Sequence, residues 1–449
     1  MICIKALLIF ENQNYLNQNY RDREIDHRKF FNSLFYLKPN SILVAMAKKD
    51  ESSAEYIRSV FSAQKRNEIF IQSSPDLARA TATYQEKIFL PKEERRRVRL
   101  NERMRKLNIT SIASIPDSEL REFGRKGFPS EYRCAAYEHL LRISDFQAKY
   151  GDGYFEKCLS TDIPLSVGRV IQVDLPRTLS SFTSSCDFKT KEILMKMLRD
   201  ILWAFAVHKP EIGYCQSLNF IAAFFLSIFG DAKKSFYALV QLVDSPTSPY
   251  IGLHIPGYYA PGMTQLLSDI SVLELMCRSR IGERGYRKFF EKREISNLSM
   301  IVSEWFHTLF ITVFPIRTVE RIMDYIVSNC GGANKVIFRL AFTIIVELVE
   351  RKNELVDLDE LMRGHKRITR SWIDHNALIN SATRGLRLFS KKDLEKWRKK
   401  DDIRRSGQMS VGVQQPVGNT MMKLEEAIAP QTTRVLSVPE DSELVISSN

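Results

Sequence analysis

The stretch Lys191–His208, KEILMKMLRDILWAFAVH, decides the class of fold. Its residues Ile193, Leu194, Met197, Leu198, Ile201, Leu202 and Phe205 fall at i, i+1, i+4, i+5, i+8, i+9 and i+12. That is an apolar stripe on the 3.6-residue period of an α-helix. A little further on, Leu218–Phe229 (LNFIAAFFLSIF) is apolar nearly all round, which predicts a helix buried at the centre of a globule. The same period predicts helices over Ser235–Val243, Met263–Cys277, Met300–Val313, Thr318–Val327 and Val336–Leu348. Breaks are expected at Pro246, Pro249, Pro256, Pro261, Pro315 and Gly331-Gly332. No convincing alternating strand pattern interrupts this span. The expected fold is all-α, a globular multi-helix domain rather than a regular repeat.

Working outward, Ile115-Pro116-Asp117-Ser118-Glu119 reads as a helix start, with Asp117 or Ser118 as the cap. Thr81–Leu107 reads as a charged, exposed helix. Residues 1–72 are weakly periodic, with Asn12-Gln13-Asn14 and Asn17-Gln18-Asn19 giving a low-complexity flavour, and little stable structure is expected there beyond short helices. Downstream, Leu355–Met362, Ser371–Asn380 and Lys391–Lys400 are expected to continue as helices. From Ser406 the composition predicts a disordered tail, with one short helix at most over Met421–Ile428. The expected organisation is a segment 1–72, a charged helical lead-in 73–117, the domain 118–350, a basic helical extension 351–405 and a tail 406–449.

Composition narrows the function classes. The chain has 449 residues, 44% of them hydrophobic, which suits one large domain with flanking segments. Seven scattered cysteines form no CxxC pair, and no HExxH spacing occurs. A disulfide framework and a zinc site are therefore not expected, and a reducing, cytoplasmic setting is. Met1–Phe10 is apolar but broken by Lys5, with no small-residue cleavage site, so it does not read as a signal peptide. The longest mainly apolar run, Leu218–Gly230, is too short to span a bilayer.

The net charge of +13 is concentrated. Lys92–Lys106 holds eight basic and three acidic residues, and Arg363–Arg405 holds fourteen basic and five acidic, so the rest of the chain is close to neutral. These stretches are either solvated helix faces or a means of attraction to an anionic membrane or an acidic partner. They lack the interleaved aromatics, zinc ligands or RNP-like strand of a nucleic-acid binder, and nucleic acid is not an expected partner.

Two segments carry polar residues in suggestive places. Arg177 follows Asp174 by three positions in a segment that Pro176 is expected to break, with Thr178, Ser180 and Ser181 suited to a loop. An arginine there is either an ion-pair partner of Asp174 or an extended, aimed side chain. Tyr214-Cys215-Gln216-Ser217-Leu218-Asn219 opens the most apolar helix. Gln216 and Asn219 lie one turn apart on one face, either as capping groups or as site residues. Cys215 reads as a small packed residue more readily than as a nucleophile, and His307 and His375 as packing or surface histidines. No GxxxxGK[ST] is present, so the chain is not expected to hold a nucleotide itself.

The order of these segments resembles the TBC-domain family, the Rab GTPase-activating proteins. Gly127-Phe128-Pro129-Ser130-Glu131-Tyr132-Arg133 is similar to its GIPxxxR block. Ile171, Asp174 and Arg177 match IxxDxxR, and Tyr214 and Gln216 match YxQ. The resemblance covers about Ser118–Glu350. It departs where Ala136-Tyr137 stands for a Val-Trp pair, Ser217-Leu218 for Gly-Met, and Met323-Asp324 for Trp-Asp. The resemblance implies that Arg177 is an arginine finger and Gln216 a glutamine finger, both lent in trans to a Rab-family small GTPase. Such an arginine stabilises charge developing on the transferred phosphoryl group, and the amide holds the attacking water. GTP and Mg²⁺ then belong to the partner, and the chain needs no cofactor of its own. Asp174 is implied as a supporting residue whose carboxylate pairs with Arg177 or with Arg133. Tyr214 is implied as a positioning residue, and Asn219 as a local support of the arginine segment. The expected function is stimulation of Rab GTP hydrolysis in vesicle trafficking, peripheral on endomembranes. The rival is a scaffold or effector that binds a small G protein without turnover.

Overall fold

The computed structural model describes residues 50–62, 71, 74–182, 187–247, 252–295, 298–329, 335–385 and 391–409. The expectations for residues 1–49, for the breaks at Pro249 and Gly331-Gly332 and for 410–449 lie outside the described residues. The helices described below lie within residues 26–407, apart from the last two residues of the C-terminal one.

Among the described residues all regular structure is helical. In chain order the helices are α1 Asp50–Ser62, α2 Pro75–Tyr84, α3 Leu90–Leu107, α4 Asp117–Lys126, α5 Ser130–Leu140, α6 Ile143–Tyr150, α7 Tyr154–Leu159, α8 Leu165–Phe182, α9 Phe188–His208 and α10 Leu218–Phe229. They continue as α11 Ala232–Asp244, α12 Thr264–Ile281, α13 Glu283–Phe289, α14 Ser299–His307, α15 Ile316–Ser328, α16 Lys335–Glu350, α17 Leu358–Arg370, α18 His375–Asn380 and α19 Lys391–Met409. A π-helical turn, Gln85–Phe89, joins α2 to α3.

Helix α10 is the centre, as its composition demands. Ile221, Ala222, Phe224, Phe225 and Leu226 are wholly buried. Helices α8, α9, α11 and α1 pack around it. Each large apolar side chain here contributes on the order of 1.5–3 kcal/mol on burial, so Phe225→Ala would open the core at a cost of about 3–5 kcal/mol. The helix stops at Gly230 (φ 65°), where a Cβ would meet the Ala54 carbonyl oxygen of α1 at 2.2 Å. Only glycine supplies both the left-handed cap and that close approach. Arg58 of α1 donates to the Phe229 carbonyl at 3.4 Å, so α1 is fastened to the same point. Phe146, Tyr150, Tyr154, His208, Phe236 and Tyr237 form one aromatic cluster that locks α6, α7, α9 and α11 together.

Caps explain several boundaries. Asp187 accepts from the Thr190 N–H at 3.0 Å and starts α9, and Asp231 accepts from Lys234 N at 2.7 Å and starts α11. Asp117 does not cap α4; Pro116 occupies that place, and the Asp117 carboxylate is taken by His139 and Arg142. Helix α14 ends at His307 instead of running to Val313, because Leu309 (φ 49°) and Phe310 (φ 64°) turn the chain left-handed.

Pro176 does not break the chain. It lies inside α8, so Arg177 and Thr178 sit on a helix and not on a loop. Proline's fixed φ suits the helix, and its cost is a missing N–H. The hydroxyls expected to cap a loop instead bond back along the helix: Thr178 Oγ1 donates to the Asp174 carbonyl at 2.6 Å, and Ser180 and Ser181 to that of Arg177 at 2.9 and 3.0 Å.

The flanking helices share this core. Met104 of α3, and Leu361, Leu378 and Leu394 of α17, α18 and α19, belong to one continuous apolar cluster with α10. No helix of the described residues is long and apolar enough to cross a membrane.

Candidate functional site

The site is the junction of α8 with the segment that leads into α10. Asp174 faces inward from α8 and is 1% exposed, while Arg177, one turn on, has a side chain 45% exposed. The two form an ion pair. Tyr214 donates its hydroxyl to the other Asp174 oxygen at 2.6 Å. Burial pushes the Asp174 carboxyl above its ordinary value, and the Tyr214 and Arg177 contacts oppose that shift. Burial, together with the facing carboxylate, also raises the Tyr214 hydroxyl, so it stays protonated and donates.

A second bridge runs beside the first. Asn219, fully buried in the first turn of α10, donates from Nδ2 to Thr178 Oγ1 at 2.5 Å and accepts the Ser217 N–H on Oδ1 at 2.8 Å. Asn219 therefore supports the arginine helix and caps the start of α10 at once. Between these bridges the chain turns at Gly213 (φ 61°) and Ser217 (φ 106°), and Gln216 projects as an exposed residue. Ser217, 8% exposed, holds a backbone conformation that favours glycine, the residue type it replaces in the resemblance. Thus Asp174, Arg177, Tyr214, Gln216 and Asn219 are gathered at one place from positions up to 45 residues apart.

Arg133 is not among them. The expectation that Asp174 pairs with Arg177 or Arg133 resolves to Arg177 alone among the described contacts. Arg133, in α5, bonds to Asp324 of α15 through Nε (2.9 Å) and Nη2 (3.2 Å), and to the Phe128 carbonyl at 3.0 Å. Asp324, wholly buried, also accepts from Tyr137 Oη at 2.8 Å and from the Phe128 N–H at 3.0 Å. Tyr137, standing for the usual tryptophan, is itself fully buried, so it fills the core position while its hydroxyl donates to Asp324. This hub joins the 127–133 block to α15 and has a structural role.

His307, a packing or surface histidine by its sequence context, reaches the site. Its Nε2 lies 3.5 Å from Cys215 Sγ, its ring stacks on Tyr259 at 5.3 Å, and Tyr259 donates to its carbonyl. Burial depresses the imidazole to about 4, so it is neutral and serves as packing. Spacing could not reveal this contact across 92 residues. Among the described residues no three His, Cys, Asp or Glu side chains cluster as a metal site would require.

A model of the Rab-GTPase-TBC domain matches residues 130–354. The chain belongs to this family. Growth hormone-regulated TBC protein 1 of Homo sapiens is 30% identical to it over 259 residues, covering 57% of this chain and 72% of that protein. Growth hormone-regulated TBC protein 6 of Caenorhabditis elegans is 30% identical over 243 residues, 54% of this chain and 65% of its own length. The fold is also that of solved TBC domains. The Chlamydomonas flagellar RabGAP TBC domain superposes with a TM-score of 0.53 at 18% identity, over 69% of this chain and 94% of that one. The Ypt/Rab-GAP domain of Gyp1p gives 0.51 at 17%, over 63% and 97%. This TBC domain therefore carries the Arg177 and Gln216 positions on the family's all-α scaffold.

Proposed function

We propose that the protein accelerates GTP hydrolysis by a Rab-family small GTPase, with Arg177 and Gln216 inserted together beside the partner's nucleotide. The observation that carries this reading is the Tyr214–Asp174 hydrogen bond. It ties the segment bearing Gln216 to the helix bearing Arg177, so two exposed side chains emerge from one rigid, buried frame. Arg177 contributes a planar cation that stabilises the charge spread over the transferred phosphoryl group. Gln216 has both an acceptor and a donor for an attacking water. Asp174 holds the guanidinium until the partner's phosphates compete for it. GTP and Mg²⁺ are held by the partner, and this chain supplies no cofactor.

The surface around Arg177 suits a protein partner. Val173 and Val170, one and two turns before it on α8, are 67% and 46% exposed. Apolar side chains left open beside a polar site are the composition of an interface core. The place of action under this reading is the cytoplasmic face of endomembranes, in vesicle trafficking.

Single-turnover hydrolysis across a panel of GTP-loaded Rab proteins tests the proposal. Stimulation of at least one member is expected, with Arg177→Ala reducing it by roughly a thousandfold and Gln216→Ala also largely abolishing it. Wild-type stimulation by Arg177→Ala would sink the finger assignment. Stable binding of a GTP form without stimulation would favour the scaffold, a role in keeping with the strained Ser217 beside Gln216.

A further inference from the structure

The basic charge of the C-terminal helix α19 is sorted by face. Leu394, Arg398, Asp401 and Arg405 follow one helical stripe, and that stripe is the docking face. Leu394 is buried in the core cluster. Arg398 makes a two-pronged ion pair with Asp269 of α12, at 2.8 and 3.1 Å from Nη2. Asp401, wholly buried, accepts from Ser271 at 2.6 Å and pairs with Arg404 and Arg405. Arg405 also donates to the Leu267 carbonyl at 3.2 Å. The arginines of this helix thus latch it to α12.

The lysines lie on the other face. Lys392, Lys396, Lys399 and Lys400 are exposed, and among the described residues they take part in no ion pair. Lys396 and Lys400 line a solvent-open pocket of about 530 Å³, to which Ser279 and Arg280 at the end of α12 also contribute. Trp397 forms an apolar side, with Lys400 Nζ 5.0 Å above its ring, and Asp393 is the one acid that lines it. Three cations against one carboxylate leave a net charge of +2 on the pocket.

We infer that this pocket binds a multiply phosphorylated cyclic polyol, the chemistry of an inositol phosphate headgroup. Lysine and arginine side chains converging from two elements neutralise several phosphates at once. Trp397, whose ring already lies under Lys400 Nζ, leaves its remaining open edge as the apolar side against which a polyol ring rests. The volume falls in the range of small-molecule sites and exceeds the room a single phosphate needs. Arg280 belongs to α12 and Lys396 and Lys400 to α19, so the Arg398–Asp269 pairing that joins these helices holds the lining together. The pocket deepens the membrane part of the reading above, yet its residues are separate from Arg177 and Gln216, so either can fail alone.

The test uses the full chain and two sources of the same headgroup. Vesicles of phosphatidylcholine with phosphatidylinositol bisphosphate are compared with phosphatidylserine vesicles of equal total charge, and soluble inositol trisphosphate and inorganic phosphate are titrated by calorimetry. The expected result is preference for the inositol ligands, with Arg280→Gln, Lys396→Gln and Lys400→Gln each weakening binding roughly fivefold. Tighter binding to vesicles than to the soluble headgroup supports the pocket and assigns the lipid; equal binding supports it and assigns the free phosphate ester. Asp269→Asn and Asp401→Asn each undo the latch while adding net positive charge. A built pocket then binds more weakly, whereas a diffuse basic surface binds more tightly. Thermal melts monitor folding of every variant, and Rab hydrolysis without vesicles is expected to be unchanged in the three glutamine variants. Equal binding to phosphatidylserine vesicles, inorganic phosphate binding as tightly as the trisphosphate, or tighter binding by both latch variants overturns the inference.

Discussion

Tyr214 donates to the buried carboxylate of Asp174 at 2.6 Å, and the other carboxylate oxygen holds Arg177. One side chain therefore couples the two exposed residues of the site. Tyr214→Phe keeps the ring and removes the donor. Loss of a hydrogen bond to a charged acceptor should cost about 1.5–3 kcal/mol. A loosened Arg177 should lower kcat/KM for Rab hydrolysis by roughly ten- to a hundredfold. A thermal melt and a single-turnover assay read the two effects. Unaltered activity in a destabilised variant would show that Tyr214 serves packing alone.

Ser217 has φ 106°, a conformation that favours glycine. Strain of this kind is worth on the order of 1–3 kcal/mol. Ser217→Gly is expected to raise stability by about 1 kcal/mol, since the Asn219 side chain still accepts the residue's N–H and glycine's greater freedom in the unfolded chain offsets part of the relief. A urea titration measures it. A drop in stability would mean that the serine side chain makes a compensating contact.

Asp324 gathers Arg133, Tyr137 and the Phe128 N–H in a fully buried place. Asp324→Ala leaves the Arg133 guanidinium with Glu320, 3.6 Å away, as its nearest counter-charge. Removing one partner of a buried pair costs about 3–5 kcal/mol. The variant should melt earlier or fail to express. Substitution at Asp324 that leaves the melting temperature unmoved would refute the structural role given to this hub.

Burial depresses His208, His307 and His365 to about 4 and His375 to about 3. All four are neutral in the folded protein, whereas in the unfolded chain they titrate near 6.5. As pH falls below 6.5 the unfolded chain binds protons that the folded state refuses, so folding stability declines. It is full above the unfolded value, and the loss runs down to the folded values. Urea midpoints at about pH 7.5 and about pH 5 bracket most of the effect before ordinary carboxylates protonate. An unchanged midpoint between them would show that these imidazoles take up protons without unfolding.

The periodicity of Lys191–His208 and the all-round apolarity of Leu218–Phe229 determined the class of fold by themselves. A helix's buried face is written locally, at intervals of three and four residues. The motif spacing likewise singled out Arg177, Asp174, Tyr214 and Gln216, because each block is short and contiguous. Only the tertiary structure decided which carboxylate each arginine uses. Arg133 and Arg177 are both near an acid on paper, yet one reaches Asp324 across 191 residues and the other reaches Asp174 across three. Nor could spacing show that Pro176 stays inside a helix, whose back-bonded Thr178, Ser180 and Ser181 hydroxyls accompany the missing N–H. The basic run near the C-terminus divides for the same reason. Its arginines and lysines are indistinguishable as charge in sequence, and docking against Asp269 and Ser271 settles which are latched and which remain open. Long-range pairing of polar groups depends on packing that brings distant helices together, and no local pattern records it.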